Sequence, residues 1–244
     1  MIDLHSHILP GVDDGALDIA DSVAMGGQAQ DDGIELVCAT PHIRADHDVR
    51  IGELAGRVEL LNRELARAGV TVRVTTGGEV AESAVNGMTR DELSAVSLGG
   101  GGTWILLEPA PGPLGGAFVA AVERLAGRGH RALVAHPERH FDDGSMAALA
   151  DATARHGALV QVTAAALADS GPDWAPVQLA RRGLLHVLAS DSHSARFGRP
   201  LRLSDGVRRL REIEEMSPYV GWVVNDAPRA IVAGDPVAPP FAPA

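Results

Sequence analysis

Short apolar runs recur along the chain at fairly even spacing, at 2–4, 36–39, 70–74, 104–107, 132–135, 158–162 and 184–189. Runs of this length with few polar interruptions are the pattern of strands buried on both faces. Longer segments with a helical repeat lie between them. Ala16, Ile19, Ala20, Val23 and Ala24 share one face, and Ile51, Leu54, Ala55, Val58, Leu61 and Leu65 share another. Further helical stretches are 114–126, 145–155, 174–182 and 203–216. Buried strands alternating with amphipathic helices imply parallel βαβ units. Seven such strands predict an α/β fold in a single domain over 1–234, as a closed or nearly closed (β/α)7 barrel or as an open sheet. Gly99 to Gly102 read as a flexible approach to the fourth strand, and Pro236, Pro239, Pro240 and Pro243 mark 235–244 as a Pro-rich, disordered tail.

Composition narrows the chemistry. Of 244 residues, 45% are hydrophobic but only 3% aromatic, so the core must be built from Ala, Val, Leu and Ile. A formal charge of -11 repels phosphate backbones and anionic lipid, which argues against a nucleic-acid partner. No lysine occurs, which removes the Walker A lysine, the pyridoxal Schiff base and the lysine nucleophile. The single cysteine, Cys38, excludes a disulfide framework within the chain, a thiolate zinc finger and a Cys-ligated iron–sulfur cluster. No run approaches the roughly 18 apolar residues of a membrane span, and no basic region precedes a long apolar stretch at the N-terminus. The expectation is an unprocessed, cytoplasmic protein without membrane insertion.

Six of the seven runs lead into residues of metal-ligand type. The first ends at His5-Ser6-His7, the second at Thr40-Pro41-His42 and the third at Gly77-Gly78-Glu79. Glu108, His136 and Asp191-Ser192-His193 follow the fourth, fifth and seventh, while the sixth offers only Thr163. In a parallel barrel all C-terminal strand ends open on one face, so these residues converge although they are far apart in sequence. Alternation along a strand puts both imidazoles of H-x-H on one side, and likewise the carboxylate and imidazole of D-x-H. Nitrogen and oxygen donors without sulfur suit Zn²⁺, Mn²⁺ or Fe²⁺. The donors exceed what one ion needs, so two or three ions sharing carboxylates is the simpler arrangement, and clustered ions of this kind point to phosphate-ester hydrolysis.

These motifs resemble the signature of the PHP (polymerase and histidinol phosphatase) superfamily. Within it, the stretch from Asp3 to Ala16, together with Ala39-Thr40-Pro41-His42, Ala135-His136-Pro137-Glu138-Arg139 and Ala189-Ser190-Asp191-Ser192-His193, is similar to the bacterial metal-dependent protein-tyrosine phosphatases of the CpsB/CapC type. The resemblance implies a distorted PHP-type (β/α)7 barrel and a site for two or three divalent ions, manganese first and iron or zinc next. It implies hydrolysis of phosphotyrosine by a metal-bound hydroxide, on the kinase, or its tail, that governs capsule or exopolysaccharide synthesis, and leaves room for a homo-oligomer. The ligands it implies are His5, His7, Asp14, His42, Glu79, Glu108, His136, Asp191 and His193, with Arg139 and Arg199 binding phosphate and, with His42, supporting catalysis. Two departures stand out: Ala81 lies where the family often has an arginine, and 163–168 is poorer in Ser and Gly than the family's usual version. Alternatives are a phosphatase of a small phosphomonoester such as histidinol phosphate and, in another class, a non-catalytic kinase-binding module.

Several residues read as bystanders. Cys38 and Arg44 have the C-x5-R spacing of cysteine-dependent phosphatases, but Cys38 lies inside an apolar run and Pro41 removes an amide from the loop that would cradle phosphate. Asp13 is assigned to helix capping. His47, His130, His140, His156 and His186 read as surface or structural, and Arg44 and Arg196 as solvated charges.

Overall fold

The structure is a computed structural model that describes residues 1–140 and 142–241. Every expected run forms a strand, and two are interrupted. β1 (Ile2–Ser6) leads to α1 (Ile19–Asp31); the second run forms β2 (Leu36–Ala39), stops at Thr40-Pro41 and resumes as β3 (His42–Ile43). After α2 (Leu54–Arg67), the third run forms β4 (Arg73–Thr76), stops at Gly77-Gly78 and resumes as β5 (Glu79–Ala81). Then come α3 (Arg90–Ala95), β6 (Trp104–Glu108), α4 (Gly116–Gly127), β7 (Arg131–Val134), α5 (Asp143–His156) and β8 (Leu159–Thr163). The last elements are α6 (Ala164–Ala168), α7 (Ala175–Arg181), β9 (Val187–Ala189), α8 (Ser204–Arg211) and α9 (Ala227–Ala233).

Two runs yield strands that start later than their apolar pattern. The amide of Val70 closes the end of α2 on Leu65 O, and that of Leu184 closes α7 on Leu179 O, so those residues belong to helix termini. The pattern over 203–216 gives a helix that stops at Arg211, and α3, α6 and α9 went unforeseen. For α3 a signal existed in Thr89-x-x-Glu92, which forms a complete capping box.

All strand pairs are parallel. Three strands run in the order β1-β2-β4 and six in the order β3-β5-β6-β7-β8-β9. The breaks between the two sheets lie side by side and explain the paired glycines. A Cβ on Gly78 would come within 2.9 Å of both Ile43 and Val96, and one on Gly77 within 3.1 Å of Thr40. The first strand also meets the last: Asp191 N donates to His5 O at 2.9 Å, and His7 N to Ser192 O at 2.8 Å.

Alternation along the strands sorts the apolar residues into two cores. Val37, Val74, Ile105, Leu107, Val134, Val160 and Leu188 pack with helix residues such as Met25, Leu61, Leu65, Phe118 and Leu125. The opposite phase, with Ile2, Leu4, Cys38, Trp104, Leu106, Leu133, Leu159 and Val187, forms a separate cluster completed by Leu98 and Ile231. The glycines at 99–102 are packed, contrary to the flexible approach expected of them. Gly99 has φ 75° and a Cβ there would lie 2.3 Å from Val232 O, so α9 presses on this segment. Residues 235–241, read above as a disordered tail, lie against the protein here. Trp104 Nε1 donates to Asp235 O at 2.9 Å, and the Phe241 ring sits 5.0 Å from Tyr219 and 5.4 Å from Trp222. The rest of that tail, 242–244, falls outside the described residues. Among those described, no helix is long and apolar enough to cross a membrane.

Candidate metal centre

The site forms at the ends of β1, β6, β7 and β9 and at the breaks after β2 and β4, where His42 and Glu79 open β3 and β5. Between Asp3 and Ser6, β1 advances three residues while β2 advances two, from Val37 to Ala39. Such a bulge re-aims the side chains beyond it. His5 and His7 then bring their Nε2 atoms to 3.3 Å of each other. Their other ring nitrogens are fixed from behind. Gln161 Oε1 on β8 lies 3.0 Å from His5 Nδ1, and Asp13 Oδ2 lies 2.7 Å from His7 Nδ1.

Glu79 is the hub. Its Oε1 is 2.8 Å from His136 Nε2; its Oε2 is 2.9 Å from His42 Nδ1, 3.3 Å from His5 Nε2 and 3.4 Å from His7 Nε2. Register places it there, because His42 pairs with Glu79 across β3 and β5. Asp191 Oδ1 approaches His5 Nε2 at 3.4 Å, and its Oδ2 takes the guanidinium of Arg199 at 2.7 Å and that of Arg139. Asp14 Oδ1 lies 3.4 Å from His42 Nε2 and 3.6 Å from His193 Nε2, and Glu108 Oε2 3.7 Å from His42 Nδ1. Among the described residues, His136 and Asp191 are the non-glycine residues with positive φ, 31° and 50°. Backbone strain of this kind is held where a site fixes a side chain's direction.

All nine residues expected as ligands therefore come together. They form four overlapping sets whose donor atoms lie within 4.8 Å of one another: His7, Asp14, His42 and His193; His5, Glu79 and His136; His5, His7 and Asp191; His42, Glu79 and Glu108. The donors fit divalent ions better than they fit each other. Glu79 Oε2 and His42 Nδ1 approach closely without hydrogen-bond alignment, and both, like His136 Nδ1, are buried atoms without a partner. Two nitrogens bound to one ion at roughly 2.1 Å stand about 3.0–3.4 Å apart, which is the His5–His7 separation. Four carboxylates, three guanidinium groups and five imidazoles converge, and the buried members, Glu79 and Asp191, need positive charge beside them.

Electrostatics express the same demand. Burial works against charge on His7, yet the carboxylates of Asp13, Asp191 and Glu79 outweigh it and hold His7 well above the ordinary imidazole range. Glu79 lies well below the carboxylate range because His5, His136 and His42 overcome its burial. His193 is pushed down to about 4 by burial and by His7. Burial pushes Asp3 up to about 6.

Some roles differ from the expectation. Asp13 caps no helix, since Asp18 caps α1 by accepting from Asp21 N; instead Asp13 accepts from the amides of His42 and Gly15, both at 3.0 Å, while orienting His7. Arg44 is only partly solvated and lines the cavity over the cluster, and His47 stacks on His42 with ring centres 5.1 Å apart. Arg196 pairs with Asp18 at 3.0 Å. His130 and His140 bind the carbonyls of Gly102 and Gly112. Cys38 lies in the apolar inner cluster, and burial pushes its thiol up, away from nucleophilic use.

Three supporting residues went unnoticed in the sequence. Gln161 also accepts from His136 N at 3.2 Å, and Asp3 accepts from Ser190 N at 3.1 Å, tying β1 to β9. Asp21 holds the loop after His193 through Ala195 N at 3.0 Å and Ser194 Oγ at 2.8 Å. A lone Gln in the apolar run 158–162 was the available signal for the first.

A parallel α/β scaffold that gathers imidazoles and carboxylates into overlapping donor sets is the arrangement of a metal-centre protein. The family described as "Capsular polysaccharide synthesis, CpsB/CapC" matches residues 1–232, and the chain belongs to it. The tyrosine-protein phosphatase YwqE of Bacillus subtilis (strain 168) is 30% identical over 206 residues, which cover 80% of this chain and 78% of the relative. The putative tyrosine-protein phosphatase CapC of Staphylococcus aureus is 27% identical over 229 residues, covering 90% and 88%. A chain from the crystal structures of YwqE from Bacillus subtilis and CpsB from Streptococcus pneumoniae, described as unique metal-dependent tyrosine phosphatases, shares the fold. Its TM-score is 0.82 at 23% identity, over 100% of this chain and 99% of that one.

Proposed function

We propose that this chain is a metal-dependent phosphomonoesterase that removes phosphate from protein phosphotyrosine, in the cytoplasm, on a tyrosine kinase or kinase tail that controls capsule or exopolysaccharide synthesis. The observation that carries the reading is the convergence of nine donor side chains with Arg139 and Arg199 at their edge. The names of the relatives support the substrate class. We also read the two sheets as one distorted seven-stranded barrel spanning 1–234, with each interrupted strand counted once and the β1–β9 contact as its seam.

His5, His7, Asp14, His42, Glu79, Glu108, His136, Asp191 and His193 would hold two or three divalent ions, manganese first and iron or zinc next. Such ions supply Lewis-acid activation of water and neutralise phosphoryl charge. Asp191 holds Arg139 and Arg199 side by side, so their guanidinium forks face the cavity and can bind the equatorial phosphoryl oxygens as charge develops. Gln161 and Asp13 fix the ring directions of His5 and His7, as outer partners of ligands do. A departing phenol, with a reference pKa near 10, needs less protonation than an alkyl alcohol, in keeping with an aryl ester.

The test is phosphate release from a phosphotyrosine peptide and from histidinol phosphate, by protein stripped of metal and then reconstituted with Mn²⁺. Metal-restored activity that prefers the peptide supports the proposal. Preference for histidinol phosphate moves the substrate to a small phosphomonoester, and silence on both with metal bound overturns the enzymatic reading in favour of a binding module.

A further inference from the structure

Beside the cluster a recess of about 560 Å³ opens, sharing Arg44, Glu108, His136 and Arg139 with the cavity over the proposed ligands. A phosphate ester with its phosphoryl group at the cluster therefore extends into this recess without crossing solvent. The wall is mainly apolar, built from Ala45, Ala81, Pro109, Ala110 and Pro111. It is also pinned. Ala110 N donates to Glu82 Oε2 at 3.1 Å, Glu82 N donates to Glu108 O at 2.8 Å, and Gly112 O binds His140 Nδ1 at 2.8 Å. Pro109 and Pro111 fix φ on either side of Ala110. The result is a stiff wall that shares the recess with the Arg44 guanidinium.

That guanidinium is held in place. Arg44 Nε lies 2.8 Å from Asp46 Oδ1, Nη1 3.5 Å from Glu108 Oε1 and Nη2 3.2 Å from His47 Nε2. Ala81 lines the same recess and contributes only a methyl group. We infer that this recess binds the aromatic ring of the substrate, with Arg44 stacked over the ring and Ala81 leaving room for it, so that these two residues set a preference for aryl over alkyl phosphate esters. A planar ring meets both the wall and the cation, and an Arg over an aromatic face adds attraction that an alkyl chain does not receive. Alkyl esters are too slim to touch both sides. This inference rests on the proposed placement of the phosphoryl group at the cluster.

Arg44→Met keeps the apolar stem and removes the planar charge, while Ala110→Trp fills the recess from an exposed position. In the Mn²⁺-reconstituted full chain, each is expected to lower the kcat/KM ratio of phenyl phosphate over glycerol 2-phosphate by about tenfold, chiefly through KM. Equilibrium binding of phenylphosphonate against methylphosphonate should shift in the same sense. An aryl-over-alkyl ratio within about twofold of the parent in both variants overturns the inference. If the parent hydrolyses neither ester, the proposed function fails, but the phosphonates still decide the recess. Tighter phenylphosphonate binding that Arg44→Met removes upholds it, and equal binding of the two phosphonates overturns it.

Discussion

The same strands serve two opposite ends of the molecule. At one end Ile2, Leu4, Trp104, Leu106, Leu133 and Leu159 meet in an apolar floor where each side chain is buried against others like it. At the other, His5, His7, Glu79, His136 and Asp191 are just as deeply buried, yet Glu79 Oε2, His42 Nδ1 and His136 Nδ1 lack partners. The floor stabilises by area removed from water. The mouth carries desolvated charge that its own ion pairs, such as Glu79–His136 and Asp191–Arg199, offset, and what it binds adds to that. Burial alone therefore does not say which residues hold the fold.

The largest separation of the two ends is expected from His193→Ala, which removes a half-buried donor whose charged form burial and His7 already oppose. Phosphate release should fall about 10³-fold or more, while the melting temperature of metal-stripped protein stays level or rises. A loss of metal-free stability as large as that of a floor variant would break the comparison. Trp104→Ala should do the reverse, costing about 3–5 kcal/mol in denaturant titrations with turnover per folded molecule retained. Arg139→Ala sharpens the division within the mouth: its metal content, measured by elemental analysis, should match the parent while turnover drops about 10²-fold.

Smaller effects follow elsewhere among the buried residues. Burial pushes His186 down to about 4, and its Nδ1 accepts from Val160 N at 3.0 Å, which is a neutral ring. Below pH 6.5 the unfolded chain binds a proton there that the native state refuses. The stability contributed at His186 should therefore fall as pH drops from 6.5 to 4, by on the order of 3 kcal/mol, read as the difference between the parent and His186→Gln in urea titrations at several pH values. Cys38→Ser should be mildest, costing about 1–2 kcal/mol for a buried hydroxyl, with activity intact; a large loss of turnover would restore the cysteine mechanism set aside here.

Much of this was legible before any coordinates. Near-continuous apolar runs located the strands because they are buried on both faces, and the ionisable residues after six of the seven located the site. What the pattern missed had local causes. Strand ends at Val70 and Leu184 belong to helix termini, since an apolar residue closing a helix looks the same as one opening a strand. Asp13 and Asp14 are adjacent, and only the turn decides that one orients His7 while the other faces His42 and His193. Gln161 and Asp3 act across 156 and 187 residues of sequence, to His5 and Ser190, distances no spacing rule reaches. Arg44 looked solvated because the carboxylates of Asp46 and Glu108 that hold it come from two different places in the chain.

The seam between β1 and β9 also sets a timetable. His5 and His7 emerge from the ribosome far ahead of Asp191 and His193, to which they are tied by the pairing of Asp191 N with His5 O. At ordinary translation speeds the wait is roughly 10–40 s. Throughout it the nascent chain holds histidines that can attract ions but not the last carboxylate and imidazole that complete their sets. Chains interrupted before residue 191 lack a donor in two of the four sets, so the centre is closed by the last strand to be made.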